Sequence, residues 1–302
     1  MPQVSVVIVC MNRPDILFPC LDSLRAQNQT PMEVLVVAYR FTKENRTLLA
    51  EKYPWVTIVD SDGTRGFSEN NNLALERAQG RYCFIVNDDT LMEMPVIDAL
   101  MKDMEQLPEK AAAISPKIVF PDGRVQTCGR APWSACRYAR HYLHLVDETK
   151  PSRWSMQEGL FQTYTLNGAC FLIKTEVFKK LGWFDARYFF TPEDIALGHA
   201  LNDAGYTVWT DASVSITHLA GGSVSKMEAA IKPARVRGSM IFYGERLSLK
   251  CFIWCFEALR AFKYLFLSRT ERNRIMRNTA RNVMRTVFSK SSPKEVFIRF
   301  SR

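Results

Sequence analysis

Two acidic clusters more than a hundred residues apart, and a histidine beyond the second, carry most of the chemistry this sequence has to offer. The first, Asn87-Asp88-Asp89-Thr90, closes a short run of strand formers, Tyr82 to Val86. Carboxylates gathered at the end of a strand give hard oxygen ligands to a divalent cation, and ligand crevices form at such sheet edges. Asn and Asp are also good turn residues, so a plain turn is the competing reading. The second cluster, Thr191-Pro192-Glu193-Asp194, opens an apolar-periodic stretch through Ile195, Leu197 and Leu201. A carboxylate there can act as a general base, although acids in the first turn of a helix are also favoured by its dipole. His218 follows a strand-like run and is open to the same two readings, ligand or structural residue.

The elements that must position these residues are legible in outline. Val4 to Val9 is β-branched and apolar on both faces, which suits a strand covered by helices on either side. Asn12-Arg13-Pro14-Asp15 reads as a helix start. A helix through Ile16, Leu17, Leu21 and Leu24 leads to a strand at Val34 to Val37, a helix near Glu44 to Lys52 and a strand at Val56 to Val59. The polar loop Asp62 to Asn72 then enters a helix through Leu73, Leu75 and Ala78. Its backbone amides, with Arg65, could hold an anionic ligand. Four strands alternating with helices in under 90 residues argue for an open α/β sheet with a nucleotide-binding half at its N-terminus.

After a helix from about Pro95 to Leu107 the alternation stops. A strand near Ala113, a turn at Pro121-Asp122-Gly123 and a loop-rich stretch follow, the latter bearing Arg130, Trp133, Arg137, Tyr138, Arg140, His141, Tyr142, His144 and Trp154. Basic and aromatic residues together suit an anionic or sugar-bearing ligand, or half-buried loop packing. Asn167-Gly168-Ala169-Cys170 is a small-residue turn into a strand, Thr175 to Leu181 a short helix, and Gly205 closes a helix that Thr191 or Pro192 begins. Strands at Thr207 to Trp209 and at Val214 to Ile216, then His218 and Gly221-Gly222-Ser223, complete the globular part.

At 302 residues, 47% hydrophobic and 24% charged, the chain can bury a large core. Its net charge of +9 is unevenly placed: residues 232–302 hold 17 Lys+Arg against 4 Asp+Glu, the rest 23 against 27. Eight scattered cysteines with no C-x-x-C pair fit a reducing cytoplasm, and no signal peptide or uncharged run of spanning length is visible. Within the tail, Lys250, Glu257, Arg260 and Lys263 gather on about a third of a helix and leave a broad apolar face. Further on, Arg274, Arg277, Arg281 and Arg285 oppose Met276, Ala280, Val283, Met284 and Val287. This basic amphipathic pattern suits an anionic membrane surface, or packing on the globular part or on a second subunit of a homo-oligomer; a basic stripe alone does not argue for nucleic acid.

Taken together, Ser5 to Asn12, Gly66-Phe67 through Asn72, Val86 to Thr90 and Asn167 through His218 resemble the family 2 glycosyltransferases of GT-A fold, in particular the bacterial rhamnosyltransferase-like branch. The resemblance implies an α/β fold with a Rossmann-like open mixed sheet flanked by helices. A GT-A domain would occupy residues 1–228, with a nucleotide-sugar half (1–107) and an acceptor half (108–228), followed by an amphipathic helical tail (229–302). It implies Asp89, with His218, as ligands of a Mg²⁺ or Mn²⁺ ion, and Asp194, beside Glu193, as the base. Asn12, Arg65, Gly66, Asn71, Asp88, Asn167 and Gly168 would line the donor site. The implied activity is inverting transfer from a nucleotide-sugar to a hydroxyl of a glycan, lipid-linked and bacterial, at the cytoplasmic face of the membrane.

The chain departs from that family's pattern in three places. The loop after the second strand reads Ala38-Tyr39-Arg40-Phe41-Thr42 with no acid, Ala196 stands where a further Asp is usual, and His199 and Ala200 stand where an Arg is expected. A sugar nucleotidyltransferase, or an inactive membrane-bound scaffold in a glycan-assembly complex, are the rival readings.

Overall fold

Strands that are apolar on both faces must be covered twice. The computed structural model, which describes residues 2–219, 227–267 and 270–301, covers them with helices on both sides of one sheet. Gly221-Gly222-Ser223 lies outside the described residues. The first half runs β1 (Val4–Cys10), α1 (Pro14–Gln27), β2 (Met32–Tyr39), α2 (Lys43–Lys52), β3 (Val56–Ser61), α3 (Phe67–Leu75) and β4 (Tyr82–Val86). Its strands pair in the order β3-β2-β1-β4, all parallel. The carboxyl ends at Cys10, Tyr39, Ser61 and Val86 therefore share one edge, where open α/β sheets bind ligands.

The second half runs β5 (Thr90–Leu91), α4 (Val96–Gln106), β6 (Ala111–Val119), β7 (Val125–Thr127), α5 (Ala135–Tyr142), β8 (Leu160–Thr163), β9 (Cys170–Lys174), α6 (Thr175–Lys180), α7 (Glu193–Asp203) and β10 (Thr207–His218). It extends the sheet as β4-β9-β6-β10-β5. β9 is antiparallel to β4, with Cys170 opposite Val86, so the turn that enters β9 lies at the same edge as the residues that leave β4. β5 pairs antiparallel with the end of β10, setting Thr90 opposite His218.

Two expectations are corrected here. Thr207 to Trp209 and Val214 to Ile216 are parts of a single strand, β10. Its pairing with β6 shifts register between Asp211 and Ser215, and Asp211 Oδ1 accepts from the Ser213 amide at 2.8 Å. The polar residues that hid the continuity in the sequence form the irregularity itself. The stretch read as loop contains α5, whose start is capped by Ser134 Oγ accepting from the Arg137 amide at 3.1 Å.

Four helices follow: α8 (Glu228–Phe242), α9 (Leu247–Phe266), α10 (Glu271–Thr286) and α11 (Pro293–Phe300). Val236, Met240, Ile253, Val283 and Val287 form a core shared by α8, α9 and the end of α10, and the four helices are fastened to the sheet domain. Phe297 packs its ring against Phe189, tilted, and edge-on against Phe190, Lys294 pairs with Glu69 at 2.8 Å, and Tyr138 of α5 packs on Tyr243. Gly238 lies so near the Thr191 carbonyl that a Cβ there would sit 2.4 Å from its oxygen. α8 thus rests directly on the bend before the second acidic cluster. α9 faces the wrong way for a soluble helix: Leu249, Ile253 and Glu257 are buried, while Trp254, Leu259, Phe262 and Phe266 are exposed. No helix among the described residues is long and apolar enough to cross a membrane.

Candidate active site

Asp88 and Asp89, adjacent in sequence, face different partners. Asp88 is buried against Arg13, whose Nη2 donates to both carboxylate oxygens at 3.1 and 3.3 Å; burial pushes its carboxyl up, with Arg13 pulling the other way. Asp89 turns toward the end of β10, where its Oδ1 is 3.1 Å from His218 Nε2. Burial acts to raise Asp89, but the hydrogen bond and charge of His218 outweigh it and hold the carboxyl below its ordinary value. His218 Nδ1 lies 2.8 Å from Gln126 Oε1, to which it donates, and Nε2 is directed at Asp89 and at the Asn87 side-chain Nδ2, 3.3 Å away; a proton on Nε2 makes the bond to Asp89, and its loss frees that nitrogen for a metal. A carboxylate oxygen beside an imidazole nitrogen is a donor pair for a divalent ion. Among the described residues no group of three or more His, Cys, Asp or Glu could hold one, so an ion bound here would take most of its ligands from outside the protein. That fits Mg²⁺ or Mn²⁺ completed by substrate phosphate oxygens and water.

Asp194 is held from three directions. Its Oδ2 accepts from Arg130 Nη1 at 2.8 Å and from the Gly168 amide at 3.2 Å, and its Oδ1 accepts from the Ile195 amide at 2.7 Å. Arg130 is itself fixed by the Leu166 carbonyl at 3.0 Å and by Glu148 at 3.5 Å. Glu193 has a buried Oε2 with no hydrogen-bond partner, and burial, then the charge of Asp194, raises its carboxyl well above the ordinary range. Burial and its neighbour's charge therefore favour the neutral form of Glu193, beside an Asp194 side chain that three donors orient.

The two clusters meet through one turn. The Asn87 amide donates to the Ala169 carbonyl at 2.9 Å, and the next amide upstream, that of Gly168, reaches Asp194. A Cβ on Gly168 would sit 3.3 Å from Glu193 Oε1, which explains a glycine at this packed spot. Asn167 folds the turn, its Oδ1 accepting from the Ala169 amide at 2.9 Å.

The remaining candidates are less free than the sequence suggested. Asn12, in a left-handed conformation at φ 51°, spends its Oδ1 on the Thr42 amide and on Asn45, tying β1 to the start of α2. Arg65 Nη1 donates to Ser61 Oγ at 3.2 Å. The Gly66 amide donates to Glu69 Oε2 as a helix cap, and Asn71 Nδ2 donates to the Phe67 carbonyl within α3. Arg130 and Gln126 were not among the sequence-derived site residues. Arg130 stood out only as one of several basic residues in an aromatic stretch, and Gln126 gave no signal. His199 is half-buried, with the rings of Tyr164 and Phe242 against it.

The model of a family described as "Glycosyltransferase like family 2" matches residues 2–235. The O-antigen biosynthesis protein RfbC of Myxococcus xanthus is 29% identical over 224 residues, covering 72% of this chain but only 17% of that much longer protein. The N-acetylglucosaminyl-diphospho-decaprenol L-rhamnosyltransferase of Mycobacterium tuberculosis is 26% identical over 246 residues, covering 76% of this chain and 80% of that one. Among solved structures, the mannosyltransferase PcManGT of Pyrobaculum calidifontis, in complex with GDP-Man and Mn²⁺, covers 99% of this chain and 79% of its own at TM-score 0.55 and 17% identity. GalNAc-T7 with UDP, GalNAc and Mn²⁺ covers 83% and 54% at TM-score 0.57 and 15% identity. At these identities the structural likeness speaks to the fold alone.

Proposed function

Because the chain belongs to the glycosyltransferase-like family 2 and carries the GT-A fold, we propose that it is a metal-dependent, inverting enzyme. It moves a sugar from a nucleotide-sugar to a hydroxyl of a lipid-linked bacterial glycan, at the inner face of the cell membrane. The observation that carries this reading is the turn Asn167 to Ala169, which joins a metal-type donor pair to an oriented carboxylate across one sheet edge.

Asp89 and His218 are the residues that would hold a Mg²⁺ or Mn²⁺ ion, which when bound offsets the negative charge developing on the leaving diphosphate. Asp194 takes the proton of the attacking hydroxyl, worth roughly 10² to 10⁴-fold. Arg130 and the Gly168 amide fix Oδ2, and Oδ1, with one contact from the Ile195 amide, keeps a lone pair for that proton. Glu193, walled in and with its neutral form favoured by burial, shapes the site beside that base. A single base opposite a single leaving group gives one displacement and hence inversion. The exposed apolar face of α9 supports residence at a membrane surface, and the name of the mycobacterial relative supports a lipid diphosphate acceptor.

Thermal unfolding of the purified chain with a panel of nucleotide-sugars, with and without Mn²⁺, tests this. A ligand bound only by the folded state at 100 times its Kd adds about 2.7 kcal/mol of stability. One nucleotide-sugar should raise the midpoint only when metal is present, and Asp89→Asn should remove the metal-dependent part. No shift with any nucleotide-sugar, or a metal requirement unchanged in the variant, would count against the reading.

A further inference from the structure

A cavity of about 530 Å³ opens between α5, the bend before α7, and helices α8, α9 and α10. We propose that it binds the phosphate groups of the acceptor, a diphosphate carried on an extended hydrocarbon chain whose tail lies along the outer face of α9. The proposal rests on the transferase reading for the word acceptor, but the site itself is argued from charge and shape.

Lys232, Arg235 and Arg260 face the cavity with His141 and His144, against a single lining acid, Glu228. Lys232 and Arg260 both donate to Glu257 Oε1, at 2.9 and 2.7 Å, from beneath the cavity floor. An ammonium has three donors and a guanidinium five, so one fully buried carboxylate leaves both with donors to spare. Arg235 is exposed on α8, and its charge reaches Glu193. Burial holds Lys232 below its ordinary value, the mark of a cation whose desolvation an anion would offset. Three aromatic side chains, Tyr138, Tyr142 and Phe256, help to complete the wall.

Position and neighbours select the ligand. Thr191, three residues before Asp194, lines the cavity, whereas Asp88, Asp89 and His218 do not, so an anion here is on the acceptor's side of the chemistry. Phe256 and Arg260 belong to α9, which also exposes Trp254, Leu259, Phe262, Leu265 and Phe266. At 100° per residue Trp254, Leu259, Phe262, Leu265 and Phe266 fall on one uncharged face about 120° to 140° wide. A cationic cavity opening beside such a face matches an anion with an apolar chain. A nucleic acid would leave that face uncovered.

The test uses the whole chain in EDTA, so that binding through a metal at Asp89 is silent, and measures farnesyl diphosphate binding by calorimetry. Arg235→Glu, an exposed charge reversal, should weaken binding about tenfold or more, as loss of a charged pair at a ligand phosphate does, while Asp89→Asn leaves it unchanged. Arg260→Gln serves as the second variant should the first fail to fold, with the same expectation. Farnesol and inorganic diphosphate should each bind more weakly than farnesyl diphosphate. Equal binding of farnesol, affinity in Arg235→Glu within about twofold of the parent, or loss of binding in Asp89→Asn would each overturn the proposal. So would failure to bind farnesyl diphosphate alongside Arg235-dependent binding to phosphatidylglycerol vesicles, which would make the ligand a membrane headgroup. Farnesyl diphosphate binding without any nucleotide-sugar response would sink the transferase reading and leave this site standing; the reverse pattern would do the opposite.

Discussion

At the scale of residues, Glu193 and Asp194 differ by environment rather than by chemistry. Asp194 is oriented by Arg130 and two backbone amides, while Glu193 is sealed in and raised well above its ordinary value by burial and by its neighbour's charge. Asp194→Asn should therefore lower transfer by about 10²-fold or more with donor affinity intact, and Glu193→Gln should retain most of it. Comparison of kcat with donor Kd in the two variants decides between them, and a reversed ranking would make Glu193 the base. The same residues set a pH dependence. A carboxyl whose folded value lies above its unfolded value binds more protons in the folded state, so stability falls as pH rises from the ordinary value of 4.5 toward the raised one. Glu193→Gln mimics the neutral form and should flatten that fall, becoming relatively more stable than the parent as pH goes from about 5 to about 8 in urea titrations.

Elements are set by close backbone approaches. The start of α3 sits against the loop before α7, where the Phe67 amide donates to the Phe189 carbonyl at 3.0 Å. A Cβ at Gly66 would lie 1.9 Å from that same carbonyl oxygen, so the glycine is required by space. Gly66→Ala should cost about 1–3 kcal/mol, as overpacking typically does, and shift the donor-side loop 62–66 with it. A denaturation midpoint equal to the parent's would show that the loop carrying Phe189 simply yields. Asn72 holds the neighbouring seam, bonding the Phe184 amide and carbonyl at 3.1 and 2.9 Å.

Across the whole molecule, the C-terminal helices join the sheet domain through a buried ionic knot. Glu257, fully buried on α9, binds Lys232 of α8, Arg260 of its own helix and the Tyr142 hydroxyl of α5. Glu257→Ala would strand Lys232 and Arg260 without their carboxylate, and breaking a buried pair in this way costs about 3–5 kcal/mol. Urea unfolding should show that loss together with faster proteolysis between α8 and α9. Unaltered stability would mean that the cations reach solvent on their own, and that the knot does not hold the bundle in place.

The sequence determined the alternation of strands and helices through residue 107, because both-face apolar runs and the polar or proline-marked breaks between them are local signals. It also marked Asp89, Asp194 and His218 as a set, since their residue types and order carry the family pattern. Tertiary structure decided the partners. Arg130 reaches Asp194 from 64 positions away and Gln126 reaches His218 from 92, separations over which no periodicity runs. It decided that β10 is one strand, because the irregularity near Asp211 is polar in sequence and continuous only in its pairing with β6. It also decided the tail. The basic amphipathic pattern was plain from residue 250 onward, but two faces compete for every such helix. Only packing showed that α10 turns Ala280 and Val283 inward while α9 buries Glu257 and leaves its broad apolar face outside.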